Sequence, residues 1–160
     1  MGPSDPLILM PNLPEGLLTL QRMGYLLIVV SNQSGIGRGL ITRQDVDSVN
    51  AALAKQLGNF GVSIIGFYVC PHRPDAGCNC RKPKPGLLIK AAEDHSIDFQ
   101  QSFMVGDRES DMQAAASVNM RGFMVCGQRT GPIGRNFKDL AEFAEFVRSS
   151  SEPNREGEPR

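Results

Sequence analysis

Three of the four cysteines and one of the two histidines fall within eleven residues, in the run Cys70-Pro71-His72-Arg73-Pro74-Asp75-Ala76-Gly77-Cys78-Asn79-Cys80. Three soft thiolates and one imidazole suit zinc, and four ligands close a tetrahedral site with no position left for substrate or an activated water. The Cys-x-His and Cys-x-Cys spacings are tight, but Pro74 and Gly77 between the pairs let the chain double back. Zinc on Cys70, His72, Cys78 and Cys80 is therefore expected to fix a loop, not to do chemistry. The plainer alternatives are a reduced cysteine cluster or one disulfide with a spare thiol. The loop runs directly into Arg81-Lys82-Pro83-Lys84-Pro85-Gly86. Two more polar groups, Ser31-Asn32-Gln33-Ser34-Gly35 and Gly106-Asp107-Arg108, each end an apolar run. Hydroxyl, amide and backbone N–H groups can donate to phosphate oxygens, basic side chains neutralise them, and a carboxylate offers a hard oxygen to magnesium.

These groups must be positioned by the elements around them. Leu13, Leu17 and Leu20 recur at helical spacing and Gly24 stops the pattern, so residues 14–23 read as a short amphipathic helix. Tyr25 to Val30 is continuously apolar and rich in β-branched residues, as a strand covered on both faces would be. Thr42 can cap a helix whose apolar face carries Val46, Val49, Leu53 and Leu57, and Val62 to Val69 reads as the next strand. Pro85 opens a helix to about Glu93, Phe103 to Val105 is a strand, Ser110 to Ser117 a helix and Arg121 to Val125 a strand. Leu140, Phe143 and Val147 mark a last helix. Alternating helices and strands predict an α/β doubly wound parallel sheet, in which ligands bind at the carboxyl ends of the strands. Ser31, Arg81-Lys82 and Asp107 all fall there.

At 160 residues, 41% hydrophobic, the chain is about one domain long. Residues 1–148 are expected to form that domain, with 149–160 a disordered tail. Formal net charge is zero and the basic residues are dispersed, which gives a nucleic-acid surface no support. No segment approaches the ~20 apolar residues of a membrane span, and Met1 to Pro11 lacks the pattern of a signal peptide. A cytoplasmic monomer is expected, binding neither nucleic acid nor membrane. Cys126, after the apolar run Gly122 to Val125, reads as a buried strand thiol.

Taken in order, Ser31-Asn32-Gln33-Ser34-Gly35, the Cys/His loop leading into Arg81-Lys82-Pro83, and Gly106-Asp107-Arg108-Glu109-Ser110-Asp111 closely resemble one group. It is the haloacid-dehalogenase superfamily, in the branch of heptose 1,7-bisphosphate and histidinol-phosphate phosphatases, and the resemblance runs from about Leu9 to Val147. It implies a Rossmann-like sheet with helices on both faces and a Mg2+-dependent phosphatase of a phosphorylated sugar, with the heptose bisphosphate preferred and histidinol phosphate second. It also implies that the Ser31 hydroxyl bonds the transferring phosphoryl group and that Lys82 neutralises its charge, these two being the catalytic residues. Asn32, Gln33, Ser34, Arg81 and Arg108 would join them in binding substrate, and Asp107 would bind Mg2+. Asp111, one helical turn on, is expected to have a supporting role at most.

Chemistry in that superfamily starts from an Asp-x-Asp at the end of the first strand, one carboxylate attacking phosphorus and the other acting as general acid and base. No strand of this chain is followed by such a pair. The strand is expected upstream of Met10-Pro11-Asn12-Leu13, where nine residues remain. Laying Leu7 to Asn12 on it instead would put Met10 and Asn12 at the two acidic positions, and Met10 cannot attack phosphorus. The expectation is an N-terminally incomplete phosphatase of low activity whose central strand is lacking. A zinc-stabilised pseudophosphatase that still binds phosphosugar, or an interaction domain, is the alternative.

Overall fold

Six helices and five strands alternate through residues 7–127 and 136–151, which the computed structural model describes. Helix α1 spans Leu13–Arg22, strand β1 Leu27–Asn32, α2 Ser34–Gly37, α3 Arg43–Gly58 and β2 Ile64–Cys70. Beyond the Cys/His loop come α4 (Gly86–His95), a 3-10 turn (Phe99–Gln101), β3 (Phe103–Gly106), α5 (Glu109–Ser117), β4 (Arg121–Val125), β5 (Asn136–Phe137) and α6 (Leu140–Ser151). Thr42 caps α3 as its residue type predicts: its hydroxyl accepts from the Asp45 N–H at 3.1 Å while its own N–H donates to the Asp45 carboxylate at 2.8 Å.

All strand pairs are parallel, but they form two sheets, β1-β2 and β3-β4-β5. Among the described residues, β1 pairs only with β2, and β3 only with β4, which pairs in turn with β5. Among the described residues β1 and β3 each keep one unpaired edge, which is where the resemblance would place a further, central strand. Leu7 to Met10 does not fill that place: it is not a strand, Ile8 and Met10 are exposed, and Asn12 has the left-handed φ of 60° that leads into α1.

Side-chain alternation along β3 gives the sheet its two faces. Phe103 and Val105 pack with Leu20 of α1, Leu57 of α3 and Phe143 and Val147 of α6. Met104, between them, packs instead with Leu88 of α4 and Ala114 and Ala115 of α5. Helices therefore cover both faces, as expected. Of the predicted α3 stripe, Val46 and Leu57 are buried while Val49 is 40% exposed. Cys126 is half-buried just past the end of β4, so it is not the buried strand thiol its apolar neighbours suggest. Helix α6 runs to Ser151, so residues 149–151 are helical and not tail; residues 152–160 lie outside the described residues. No helix of the described residues is long and apolar enough to cross a membrane.

Phe143 is fully buried, with ring centroids 5.7 Å from Phe103, 5.1 Å from Phe123 and 5.3 Å from Phe137. Truncating it removes the ring that joins α6 to β3, β4 and β5. Phe143→Ala is expected to lower unfolding free energy by about 3–5 kcal/mol in urea titration; a loss below about 1 kcal/mol would show that this cluster does not hold the sheet to α6.

Candidate functional site

The carboxyl ends of β1, β2 and β3 bring the three sequence motifs together around one side chain. Lys82 follows the Cys/His loop, and its ammonium donates to the Val30 carbonyl of β1 at 2.9 Å and to the Asp111 carboxylate of α5 at 2.5 Å. Both side chains are nearly removed from water, 11% exposed for Lys82 and 6% for Asp111. A charge so placed is tolerated only when paired and hydrogen-bonded, and here each partner satisfies the other. Asp111 is the buried charged residue among those described, which its expected supporting role understates. Its second carboxylate oxygen accepts from the Arg108 N–H at 3.2 Å, closing the first turn of α5. The close approach depends on Gly106: a Cβ there would collide with the Asp111 carboxylate.

The main chain of Lys82 is fixed as well. The Asn32 carboxamide donates to the Lys82 carbonyl at 3.1 Å and accepts from the Lys82 N–H at 3.1 Å. Beside it, Ser31 is half-buried at the end of β1, its hydroxyl receiving a long 3.4 Å contact from the Gln33 amide. The Gln33 N–H donates to the Cys70 carbonyl at 2.8 Å, tying this turn to the end of β2. Ser34 starts α2, a one-turn helix. Gly37 in it lies against the Cys/His loop, where an added Cβ would come within 2.8 Å of the Pro71 carbonyl. Arg81 is half-buried, and its Nη1 atom is buried without a hydrogen-bond partner. Asp107 and Arg108 follow β3 and are exposed.

The four Cys/His ligand atoms all lie within 4.8 Å of one another. The Cys80 sulfur is 3.2 Å from both the Cys70 sulfur and His72 Nδ1, and the Cys70 sulfur is 3.7 Å from that of Cys78. A tetrahedral ion with Zn–S bonds of about 2.3 Å needs sulfurs about 3.8 Å apart, so the cluster is close to that size and of the right chemistry. Cys70 is wholly buried and His72 exposed, so the site opens outward. Burial pushes the Cys78 thiol up, but hydrogen bonds from the Arg81 backbone, Cys80 and Cys70 outweigh it and bring it to about 6. Burial, with the Cys70 and Cys78 sulfurs beside it, pushes the Cys80 thiol up to about 12. Cys78 thus gives up its proton readily while Cys80, chiefly through burial, holds its own, and a bound divalent cation would displace such a proton.

One Asp-x-Asp does occur in the chain, Asp45-Val46-Asp47, but it is the first turn of α3. Asp45 completes the Thr42 cap and Asp47 accepts from Arg43 at 3.0 Å, so both serve the helix. Among the described residues no strand carries such a pair at its carboxyl end.

The chain is similar to known proteins in sequence and fold. A HAD-hydrolase-like family model matches residues 79–142. A Helicobacter pylori (strain ATCC 700392 / 26695) protein named D-glycero-beta-D-manno-heptose-1,7-bisphosphate 7-phosphatase is 36% identical over 134 residues, covering 83% of this chain and 78% of its own length. The Escherichia coli (strain K12) protein of the same name is 33% identical over 153 residues, 87% of this chain and 80% of its own. A namesake from Photorhabdus laumondii is 44% identical over 108 residues; the match covers 63% of this chain and 57% of that relative. Among solved structures, the D,D-heptose 1.7-bisphosphate phosphatase from B. bronchiseptica, complexed with magnesium and phosphate, superposes with a TM-score of 0.81 at 29% identity. That match covers 90% of this chain and 86% of the other. By the extent of these matches, the chain belongs to the heptose 1,7-bisphosphate 7-phosphatase family of haloacid-dehalogenase-like hydrolases.

Proposed function

We propose that this chain carries the phosphate-binding half of a Mg2+-dependent phosphatase that removes the 7-phosphate of D-glycero-D-manno-heptose 1,7-bisphosphate. The observation that carries the reading is the Lys82 ammonium, held at the end of β1 by Asp111 and by the carbonyl of Val30, the residue before Ser31. In this role Lys82 neutralises phosphoryl charge and the Ser31 hydroxyl donates to a phosphoryl oxygen, with Gln33 and Ser34 offering further donors on the same turn. The unpartnered Nη1 of Arg81 suits a second phosphate on the same substrate, which favours a bisphosphate over a monophosphate. Arg108, exposed at the start of α5, faces the sugar side in this reading.

Asp107 supplies one hard carboxylate oxygen after β3, and Mg2+ keeps several waters and takes few protein ligands, so the residue fits that ion. When bound, Mg2+ would offset the negative charge on the phosphoryl oxygens. Attack on phosphorus needs a carboxylate between β1 and β3, and none of the described residues puts one there. The same reading makes the protein a cytoplasmic monomer and its Cys/His loop a structural zinc site that holds Arg81 and Lys82 at the strand ends.

Phosphate release from heptose 1,7-bisphosphate and from histidinol phosphate tests the activity. The 160-residue chain is expected to release little or none, and a version extended at Met1 by a strand ending in Asp-x-Asp to act on the heptose bisphosphate. Release from neither substrate by the extended version overturns the enzyme reading, and preference for histidinol phosphate reassigns the substrate. Independently, elemental analysis of protein purified under reducing, chelator-free conditions is expected to find about one zinc per chain, lost on Cys80→Ser. A zinc-free wild-type protein contradicts the metal assignment.

A further inference from the structure

The turn after β1 reads as a set of donors aimed at phosphate, with Asn32 among them. Its geometry points elsewhere. Both polar atoms of its carboxamide are occupied by the main chain of one residue fifty positions along the chain, Nδ2 on the Lys82 carbonyl and Oδ1 on the Lys82 N–H, each at 3.1 Å. Asn32 imitates a strand here. Its side chain offers Lys82 the donor and acceptor that a facing strand residue would offer, and no other side chain of its length carries both on one rigid plane. The backbone of Asn32 is registered against Cys70, the fully buried residue of the Cys/His cluster, and Cys80 lies two residues before Lys82. A closed ring results: β1 to β2 through strand pairing, β2 to Cys80 through the cluster, Cys80 to Lys82 along the chain, and Lys82 back to β1 through Asn32.

We propose that Asn32 is the positioning residue for Lys82 and not a ligand of the phosphoryl group. The zinc loop confines the segment entering Lys82, and the Asn32 carboxamide sets the direction in which its side chain leaves. From that direction the ammonium reaches Val30 and Asp111 together. The proposal rests on the reading of Lys82 as the phosphoryl-binding cation, but its test does not require turnover.

The five lysines, 55, 82, 84, 90 and 138, allow an internal comparison. Brief acetylation of the folded, zinc-replete protein followed by peptide mass spectrometry gives a rate for each. Asn32→Ala removes both bonds and is expected to speed acetylation of Lys82 by about tenfold, with the other four rates and the zinc content unchanged. Asn32→Asp keeps the acceptor for the Lys82 N–H but loses the donor, and is expected to give a smaller rise at Lys82 alone. It serves as the readout if the alanine variant does not fold. Unchanged Lys82 acetylation, together with weaker protection of Lys82 by inorganic phosphate, returns Asn32 to the role of a phosphate ligand and overturns the proposal. A uniform rise at all five lysines assigns Asn32 to general folding and overturns it too. If the extended enzyme proves inactive on every substrate, a selective Lys82 response still establishes the positioning role, so the two readings fail separately.

Discussion

A single buried ion pair, the Lys82 ammonium on the Asp111 carboxylate, is the constraint on which the rest of this structure depends. Its partners belong to different bodies of the fold. Lys82 is tied to β1 through Val30 and Asn32, whereas Asp111 is tied to the end of β3 through Gly106 and the first turn of α5. Because the two sheets share no strand pairing among the described residues, this contact does at their carboxyl ends what backbone hydrogen bonds do elsewhere. At the opposite ends, the Tyr25 ring lies 5.3 Å from Phe103, and between them the cluster around Phe143 ties both sheets to one face of helices.

This arrangement links stability to function. A buried lysine and aspartate lose hydration that their attraction has to offset, and removing either one leaves the other charged and unpaired. A fold uses such a pair where position matters more than net stabilisation. Here the ammonium is held at the strand ends, on the carbonyl of Val30, and its residue follows a loop whose four candidate metal-ligating groups already lie together. The Cys/His cluster therefore acts through geometry: it restrains Cys80, Cys80 restrains Lys82, and the chemistry expected of Lys82 is done at the far end of its side chain.

What the sequence made legible follows from range. The Cys/His cluster is local and its residue types are rare, so its ligand set was readable from spacing alone. Thr42 as the α3 cap and Arg121–Val125 as a strand are equally local. Helix α2 was not legible because its one turn is held by packing of Gly37 on the Cys/His loop, and β5, two residues long, has too few side chains to show a period. The burial of Asp111 and the occupation of Asn32 were illegible for another reason. Both depend on partners 29 and 50 positions away, and the same residue types at a helix start or after a strand are ordinarily solvated. The separation of the strands into two sheets was foreseeable only from the resemblance, which supplied the place of a strand the residues themselves do not reveal.

The central claim, that Lys82 and Asp111 act as one unit joining the two sheets, is tested most directly by a double-mutant cycle read in urea unfolding. Lys82→Ala and Asp111→Ala should each cost about 3–5 kcal/mol, because each strands a buried charge. The double variant should cost clearly less than their sum, with a coupling of at least about 1 kcal/mol. Costs that add to within about 0.5 kcal/mol would show that the two residues act independently and would contradict the account.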